Sequence, residues 1–236
     1  MIKQAFILAA GYGTRMRPIT DLIPKPMVEI DGQSIITRAL DKLVEYGIEL
    51  VVINCFYKKE LLKEHIAHYI KSKQNPPEIK IIEEDPLLET GGGIINATSF
   101  LKNEPFFVIN SDSIFVGENI FSYLNKKWEP KMRCLFLLAS PEKASGYLGK
   151  GDFDLNNKNQ LLAPSQSNYP YPGIHITKKE NFDGWKKEPI KLMKIYDTYK
   201  KGNIYEGFYG AIYPGRWFHV DTPQAVQDTE KELQIL

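Results

Sequence analysis

Short apolar strands alternate with amphipathic helices through the first 140 residues of this chain. The helix predicted from about Ser34 to Tyr46 carries one apolar stripe and is followed by Gly47, which stops it. The predicted strands at 106–109 and 134–139 are apolar throughout and offer no polar face to water. A sheet built from such strands must be covered on both faces, so we predict an α/β fold with a mostly parallel central sheet between two layers of helices.

The second part of the chain follows a different pattern. From Pro141 onward it consists of short β segments, turns and tyrosines, with residues 156–159 as the predicted tip of a hairpin. A last helix is predicted from Pro223 to about Leu233, because the preceding threonine can cap it and proline suits its first turn. A chain of 236 residues with 43% hydrophobic content can build one sizeable core, so we expect a single domain over residues 1–236.

Composition excludes several classes of partner. Thirty basic residues balance twenty-nine acidic ones, so no large net field favours a nucleic acid or an anionic membrane. The apolar segment 5–10 is too short for a signal sequence, and no apolar span of about 18 residues occurs, so we expect neither export nor membrane insertion. Cys55 and Cys134 each lie in an apolar run without a Cys-His motif, which indicates core thiols in a reducing cytoplasm.

The first strand runs directly into a glycine turn, Gly11-Tyr12-Gly13-Thr14-Arg15, and a lysine follows between two prolines at position 25. Glycines let backbone N–H groups approach an anion closely, while arginine and lysine side chains supply the charge that a polyphosphate needs. Arg15, Arg17 and Lys25 are therefore the candidate phosphate-binding residues. A surface turn that happens to be basic is the alternative, and it would be preferred for a lone Gly-x-Gly.

Two familiar phosphate-binding loops fit this segment badly. A dinucleotide-binding loop requires a third glycine where Met16 stands and a helix that begins at once, which Pro18, Pro24 and Pro26 oppose. A Walker loop requires Gly-Lys-Ser or Gly-Lys-Thr, and neither follows. The segment therefore indicates a polyphosphate site of another kind.

Seven short motifs occur in one order along nearly the whole chain, at 8–18, 24–28, 88–93, 108–112, 151–153, 172–174 and 217–223. In the content and order of these motifs the chain resembles the sugar-1-phosphate nucleotidylyltransferases, also called nucleotide-sugar pyrophosphorylases. The Leu-Glu-Thr-Gly-Gly-Gly run at 88–93 makes the N-acetylmuramate-1-phosphate uridylyltransferases and the mannose-1-phosphate guanylyltransferases the most similar branches.

The resemblance implies a fold, a reaction and a cofactor. The fold is a Rossmann-like nucleotide-binding three-layer sandwich of the nucleotide-diphospho-sugar transferase type, with the nucleotide bound by about 1–140 and the sugar phosphate by about 141–236. The reaction makes a nucleoside-diphosphate sugar and pyrophosphate from a nucleoside triphosphate and a sugar 1-phosphate. UTP with N-acetylmuramate 1-phosphate is the leading pair, and GTP with mannose 1-phosphate is the alternative. Mg²⁺ is the expected cofactor, with Mn²⁺ as the alternative ion.

Larger relatives carry a C-terminal left-handed β-helix, which this sequence does not contain. We therefore expect no acetyltransferase activity, and we expect a monomer or a weak dimer.

The resemblance assigns Arg15 and Lys25 to the phosphates. A guanidinium fork suits the β and γ phosphates, and a lysine held between two prolines presents its ammonium to the α-phosphate or the incoming sugar phosphate at little entropic cost. Asp112 follows the buried strand 106–109 and is the expected Mg²⁺ ligand, because a hard ion takes a carboxylate oxygen. A helix N-cap is the alternative role for Asp112.

The remaining ligand contacts are implied by position within the motifs. Residues expected to contact the nucleotide are Ala10, Gly11, Gly13, Thr14, Glu89, Gly91 and Gly92, and those expected near the sugar phosphate are Asn110, Gly149, Asp152 and Gly173. For the triple glycine, close packing is the alternative to a ligand contact. For Asn110, the alternative is a capping role.

The expected second metal ligand is the point at which this chain departs from the family. Relatives read Trp-x-Asp-Val-Gly-Thr, whereas this chain has His219 in place of that aspartate and Asp221 in place of the glycine. Asp221 is preferred because a hard oxygen suits Mg²⁺. One alternative is that His219 binds a softer ion such as Mn²⁺. The other is that Asp112 is the single protein ligand and water completes the coordination of the ion.

Two other functions compete with this prediction. A metal-dependent glycosyltransferase would share the α/β nucleotide fold, but it uses an Asp-x-Asp pair where this chain reads Ser111-Asp112-Ser113. A sensor that binds nucleotide sugars without catalysis is suggested by the altered second metal position.

Overall fold

The computed structural model of the protein describes residues 1–163 and 168–235. In chain order its strands and helices are β1 (Gln4–Leu8), β2 (Glu29–Ile30), β3 (Gln33–Ser34), α1 (Ile35–Tyr46), β4 (Leu50–Cys55), α2 (Lys59–Ser72), β5 (Glu78–Glu83), α3 (Glu89–Ala97), β6 (Phe106–Asn110), β7 (Ser113–Val116), α4 (Ile120–Lys127), β8 (Cys134–Ala139), β9 (Ala144–Ser145), β10 (Asp154–Leu155), β11 (Gln160–Leu162), β12 (Ile174–Thr177), α5 (Leu192–Tyr196), β13 (Lys200–Lys201), β14 (Ile204–Tyr213), β15 (Arg216–His219) and α6 (Pro223–Leu233).

The described strands form one central sheet of ten strands and two small sheets. The central sheet has the order β10-β11-β14-β8-β12-β6-β1-β4-β5, with β13 paired to β14. Strand β12 lies between β6 and β8 and is antiparallel to both. Strands β11, β12 and β13 run in one direction, and the other seven strands of the sheet run in the opposite direction. The remaining pairs of the sheet are parallel, which confirms the predicted mostly parallel sheet.

Helices cover both faces of the sheet. Alternate residues of β1 point to opposite faces, because successive side chains of a strand alternate. Ala5 and Ile7 pack in one buried cluster with α1, α2 and α4, whereas Phe6 packs in another with α3 and α5. The predicted three-layer arrangement is therefore confirmed.

The local signals that delimit the helices behave as expected. The Ser34 side chain accepts the Thr37 N–H at the start of α1, and Gly47 ends that helix in the left-handed conformation. Thr222 caps α6 by accepting the Ala225 N–H. Strands β10 and β11 pair as an antiparallel hairpin around residues 156–159, as the sequence predicts.

Helix α3 begins at Glu89 and contains all three glycines. Glycine costs about 1 kcal/mol relative to alanine inside a helix, so it is kept there only where another group must come close. A side chain at Gly92 would place its Cβ 2.2 Å from the Glu188 carbonyl oxygen. The triple glycine therefore lets the segment before α5 lie directly against α3.

A small sheet, in the order β7-β15-β9, carries the C-terminal segment back over the N-terminal loop. Met16 and Val28 of that loop share a buried cluster with Phe218 and Val220. The Val220 N–H also donates to the Asp112 carbonyl oxygen at 2.9 Å. Residues near position 220 are thereby fixed beside the loop that carries the predicted phosphate-binding side chains.

Both cysteines, Cys55 and Cys134, are buried and free, as expected for core thiols. Within the described ranges, the helices are too short or too polar to cross a lipid bilayer.

Candidate active site

A cavity of about 330 Å³, which we call the first cavity, opens at the carboxyl ends of β1, β4 and β6. Ligands bind at this edge of open α/β sheets. Ten of the predicted site residues line it: Ala10, Gly11, Gly13, Thr14, Arg15, Lys25, Glu89, Asn110, Asp112 and Asp221.

The segment between β1 and β2 makes three short 3₁₀ turns, at Thr14–Met16, Ile19–Asp21 and Lys25–Met27, instead of the long helix that a dinucleotide site would need. Gly13 adopts a φ of 63°, which L-residues rarely adopt. A Cβ at Gly13 would stand 3.0 Å from both the Lys25 Cβ and the Thr20 Cγ2, and the Thr20 hydroxyl donates to the Gly13 carbonyl at 2.8 Å. Gly13 therefore lets the glycine loop pack against the segment that presents Lys25.

Two pairs of opposite charge lie on the wall of the first cavity. Lys25 Nζ donates to Asp112 Oδ2 at 2.9 Å, with exposed side-chain fractions of 15% and 20%. Arg15 forms a close ion pair with Asp221, and the arginine side chain is 68% exposed while the aspartate is 10% exposed. Each cation is thus held near the cavity by a carboxylate, and Arg15 keeps most of its surface available to a ligand.

His219 lies between the two carboxylates. Its Nε2 is 4.0 Å from Asp112 Oδ2 and 3.9 Å from Asp221 Oδ2, so the three residues considered as metal ligands come together. In residues 1–163 and 168–235, no group of three or more histidine, cysteine, aspartate or glutamate side chains is arranged to hold a metal ion. Mg²⁺ is usually held by one or two carboxylates together with substrate phosphates, and Asp112 and Asp221 fit that pattern.

The sequence analysis missed a buried polar network at the base of the first cavity. The Asn54 amide donates to Glu84 Oε1 at 2.7 Å and accepts the Ala9 N–H at 2.7 Å. Glu84 Oε2 accepts the Leu88 N–H at 2.8 Å. The network ties the glycine loop to the segment that leads into α3. Asn54 lies near the carboxyl end of the apolar strand β4, the same signal that identified Asp112, whereas Glu84 follows the more polar strand β5.

A second cavity, of about 570 Å³, adjoins the first and shares Leu8, Glu89, Thr90 and Asn110 with it. Asp152 lines its wall, where one carboxylate oxygen accepts from the Tyr147 hydroxyl at 3.0 Å and from the Tyr171 N–H at 2.8 Å. The predicted sugar-phosphate residues Asp152 and Asn110 therefore line this cavity.

Gly173 lies behind Asn110 and lines neither cavity. Its φ is 81°, and a Cβ there would stand 2.4 Å from the Asn110 Nδ2. The Asn110 N–H donates to the Gly173 carbonyl at 2.9 Å, so Gly173 holds Asn110 at the junction of the cavities. Gly149 lies in an exposed loop beside the Tyr147 ring and also lines neither cavity. A sugar contact of either glycine stays a prediction.

Gly91 and Gly92 likewise lie outside the lining of both cavities. Their N–H groups both donate to the Ile190 carbonyl, at 2.8 and 3.2 Å. The structure therefore gives these glycines the close-packing role, and a direct nucleotide contact stays a prediction. Asn110 and Asp112 cap no helix, because the cap of α4 is Asn119.

Beneath the second cavity lies a chain of buried hydrogen bonds. The Tyr196 hydroxyl donates to the Thr177 hydroxyl at 3.1 Å, so it accepts from His175 Nε2 at 2.9 Å. The other ring nitrogen of His175 then accepts the Tyr171 hydroxyl proton at 2.6 Å. Burial lowers the pKa of His175 to about 3, so the ring is neutral and fixes the position of Tyr171.

Comparison with known proteins identifies the family. The nucleotidyl transferase family model matches residues 4–149. The chain is 34% identical to an N-acetylmuramate alpha-1-phosphate uridylyltransferase of Caulobacter vibrioides over 98% of this chain and 97% of that protein. It is 27% identical to the mannose-1-phosphate guanylyltransferase catalytic subunit beta of Drosophila melanogaster, over 94% of this chain and 60% of that protein.

Among solved structures, HddC from Yersinia pseudotuberculosis complexed with GMP-PN has the same fold. It superposes with a TM-score of 0.78 at 19% sequence identity, over 98% of this chain and all of that one. The chain therefore belongs to the nucleotidyl transferase family, as a sugar-1-phosphate nucleotidylyltransferase.

Proposed function

We propose that this enzyme transfers the uridylyl group of UTP to N-acetylmuramate 1-phosphate and releases pyrophosphate. The main support for this reaction is that Lys25 pairs with Asp112, and Arg15 with Asp221, on the wall of the first cavity, next to the second cavity. The choice of substrates is supported by the Caulobacter relative, which matches this chain almost from end to end.

In the proposed reaction, an oxygen of the sugar phosphate attacks the α-phosphorus of UTP, and the bond from that phosphorus to the pyrophosphate oxygen breaks in line. Such transfers depend mainly on positioning and charge neutralisation. Lys25 is mostly buried at the cavity wall and neutralises charge at the reacting phosphates. Arg15 is mostly exposed, so its guanidinium fork can bind the β and γ phosphates.

Enzymes of this family generally use Mg²⁺. Asp112 and Asp221 are the residues we propose to hold it, and the ion would neutralise phosphate charge during the transfer. His219 Nε2 is within 4.0 Å of a carboxylate oxygen of each aspartate, so it is placed to replace one of them if the ion is Mn²⁺.

We place the sugar in the second cavity and its phosphate at the junction with the first, beside Asn110. The Asp152 carboxylate is a hydrogen-bond acceptor suited to a sugar hydroxyl.

Because the central sheet runs through residues from both parts of the chain, we also propose that both parts work as one domain. The two free thiols support a cytoplasmic setting, and we propose a monomer or a weak dimer.

The experiment that tests this function measures pyrophosphate release. UTP, GTP, CTP and dTTP are each combined with the 1-phosphates of N-acetylmuramate, mannose, glucose and N-acetylglucosamine. Release that requires both UTP and N-acetylmuramate 1-phosphate supports the proposal. Turnover restricted to GTP and mannose 1-phosphate contradicts the substrates while the reaction class stands.

Pyrophosphate release that requires both substrates also excludes the rival functions, and two further assays distinguish these rivals from each other. A glycosyltransferase would consume a nucleotide sugar without releasing pyrophosphate. A sensor would bind nucleotide sugar, measured by calorimetry, and would show no turnover in any combination.

A further inference from the structure

We propose that Lys191 selects an acidic sugar, by pairing its ammonium with a carboxylate on the sugar bound in the second cavity. This inference rests on the proposed function and assigns a specificity-determining residue to it. N-acetylmuramate differs from N-acetylglucosamine by a lactyl ether whose carboxylate is negatively charged, so a cation in the sugar site is suited to recognise that difference.

Lys191 differs in charge from the other ionisable residues around the second cavity. It is the one lysine or arginine among the described residues that line it, whereas Glu89, Asp152 and Asp197 supply carboxylates. Lys191 is exposed and, within the described part of the chain, forms no ion pair or side-chain hydrogen bond. Its ammonium is therefore available to a ligand.

The carboxylates of the cavity cannot perform this recognition. Asp152 already accepts the Tyr147 hydroxyl and the Tyr171 N–H, and Asp197 accepts the Tyr205 hydroxyl at 2.8 Å. Such acceptors suit the hydroxyl groups of a sugar, but they repel a lactyl carboxylate. Among the described residues that line this cavity, Lys191 is thus the cation that can pair with an acidic sugar.

The backbone on each side of Lys191 is anchored to α3. The Ile190 carbonyl accepts the N–H groups of Gly91 and Gly92, and the Ile190 N–H donates to the Leu88 carbonyl at 3.1 Å. On the other side, the Leu192 N–H donates to the Thr90 hydroxyl at 3.0 Å.

Thr90 and Glu89, at the start of the same helix, line both cavities. The triple glycine thereby fixes the Lys191 Cα relative to the site, which is a role for this motif that requires no ligand contact.

The test is a two-by-two comparison of enzyme and substrate. The substrates are N-acetylmuramate 1-phosphate and its neutral lactyl amide, each with UTP, and the enzymes are the wild type and Lys191→Gln. We expect the wild type to prefer the acid in kcat/KM by about tenfold or more, the effect of one charge-assisted hydrogen bond. The preference should disappear in Lys191→Gln, mainly through a higher KM for the acid, and should largely return in Lys191→Arg.

Lys194→Gln is the matched control, because Lys194 is also exposed and lies in α5 but lines neither cavity. It should keep the wild-type preference. If Lys191→Gln keeps the preference while the wild type turns over the acid, the assignment of Lys191 is wrong and the proposed function stands. If the wild type fails to use N-acetylmuramate 1-phosphate with any nucleotide, both proposals fail.

Discussion

Lys25 and Asp112 are 87 residues apart in the chain, yet Lys25 Nζ donates to Asp112 Oδ2 at 2.9 Å. One residue lies in a turn bounded by prolines, and the other lies in the turn after a central strand. In the free enzyme, the proposed phosphate-binding cation and the proposed metal ligand therefore neutralise each other. If Asp112 holds Mg²⁺ and Lys25 holds a phosphate, as we propose, each residue exchanges this partner for a new one, and metal binding is linked to nucleotide binding.

The first prediction concerns Lys25. Lys25→Ala should lower kcat by about 10²- to 10³-fold, because it removes positive charge from the reacting phosphates. The midpoint of thermal unfolding should change little, since Asp112 retains access to water. Pyrophosphate release and a thermal melt provide the two measurements. Lys126→Ala is the control, because Lys126 pairs with Glu118 on the surface away from both cavities. Near-normal kcat in Lys25→Ala would contradict its assigned role.

The second prediction concerns the metal ligands. Asp112→Ala should reduce activity by about a hundredfold or more, because Asp112 is the carboxylate at the end of β6. Asp221→Asn and His219→Asn are then compared in Mg²⁺ and in Mn²⁺. A loss of activity that occurs only in Asp221→Asn supports Asp221 as the second metal ligand.

Loss confined to His219→Asn, with partial recovery in Mn²⁺, would assign the position to the histidine. Full activity in both variants would mean that Asp112 holds the ion with water and phosphates. Isothermal titration of each variant with Mn²⁺ and nucleotide separates weak metal binding from a slow chemical step.

The third prediction concerns the packing of α3. Alanine normally stabilises a helix relative to glycine by about 1 kcal/mol, but Gly92→Ala should lower the free energy of unfolding by about 1–3 kcal/mol. The reason is the 2.2 Å approach of its Cβ to the Glu188 carbonyl oxygen. Urea denaturation measures the change. Gly11→Ala is the stability control, because among the described residues other than its chain neighbours no atom lies within 4 Å of a Cβ placed there. A stabilised Gly92→Ala variant would show that the segment before α5 can move aside.

The fourth prediction concerns pH. Burial depresses the pKa of His175 from its usual value to about 3 in the folded protein, so the unfolded chain takes up a proton that the folded chain refuses. The contribution of neutral His175 to the free energy of unfolding is fully present above about pH 6.5, the pKa of histidine in the unfolded chain. It decreases as the pH falls towards 3. Between pH 7.5 and pH 5, the wild type should lose about 2 kcal/mol through His175.

His175→Gln should have a lower free energy of unfolding at pH 7.5 and a flatter pH dependence than the wild type. Urea denaturation at several pH values measures both quantities. The exposed residue His68 provides a control, and His68→Gln should keep the wild-type slope. An unchanged slope in His175→Gln would mean that another group controls the acid sensitivity.

Local patterns predict the parts of this structure that depend on neighbouring residues. The apolar stripe of α1, its cap and Gly47 define that helix almost residue by residue, because periodicity and capping act within a few positions. The rule that ligands bind at the carboxyl ends of parallel strands also places Asp112 correctly on the cavity wall.

Contacts between distant segments are harder to predict. Strand β12 inserts antiparallel between β6 and β8, and nothing in its four residues specifies that position. Lys191 likewise gives no local signal, since its relation to the second cavity depends on the hydrogen bonds between Ile190 and the glycines of α3. These relationships follow from packing across the whole sheet.

The return of the C-terminal segment over the glycine loop has a consequence for the order in which the site is made on the ribosome. Arg15 is synthesised about two hundred residues before Asp221, its partner in the finished enzyme. Until β15 has emerged, Met16 and Val28 have no Phe218 or Val220 to cover them. A nascent chain stopped before residue 216 would hold all ten strands of the central sheet, but the loop that carries Arg15 would lack the apolar cover of Phe218 and Val220 and the Asp221 carboxylate. The proposed metal and triphosphate sites are therefore complete only after translation has passed Asp221.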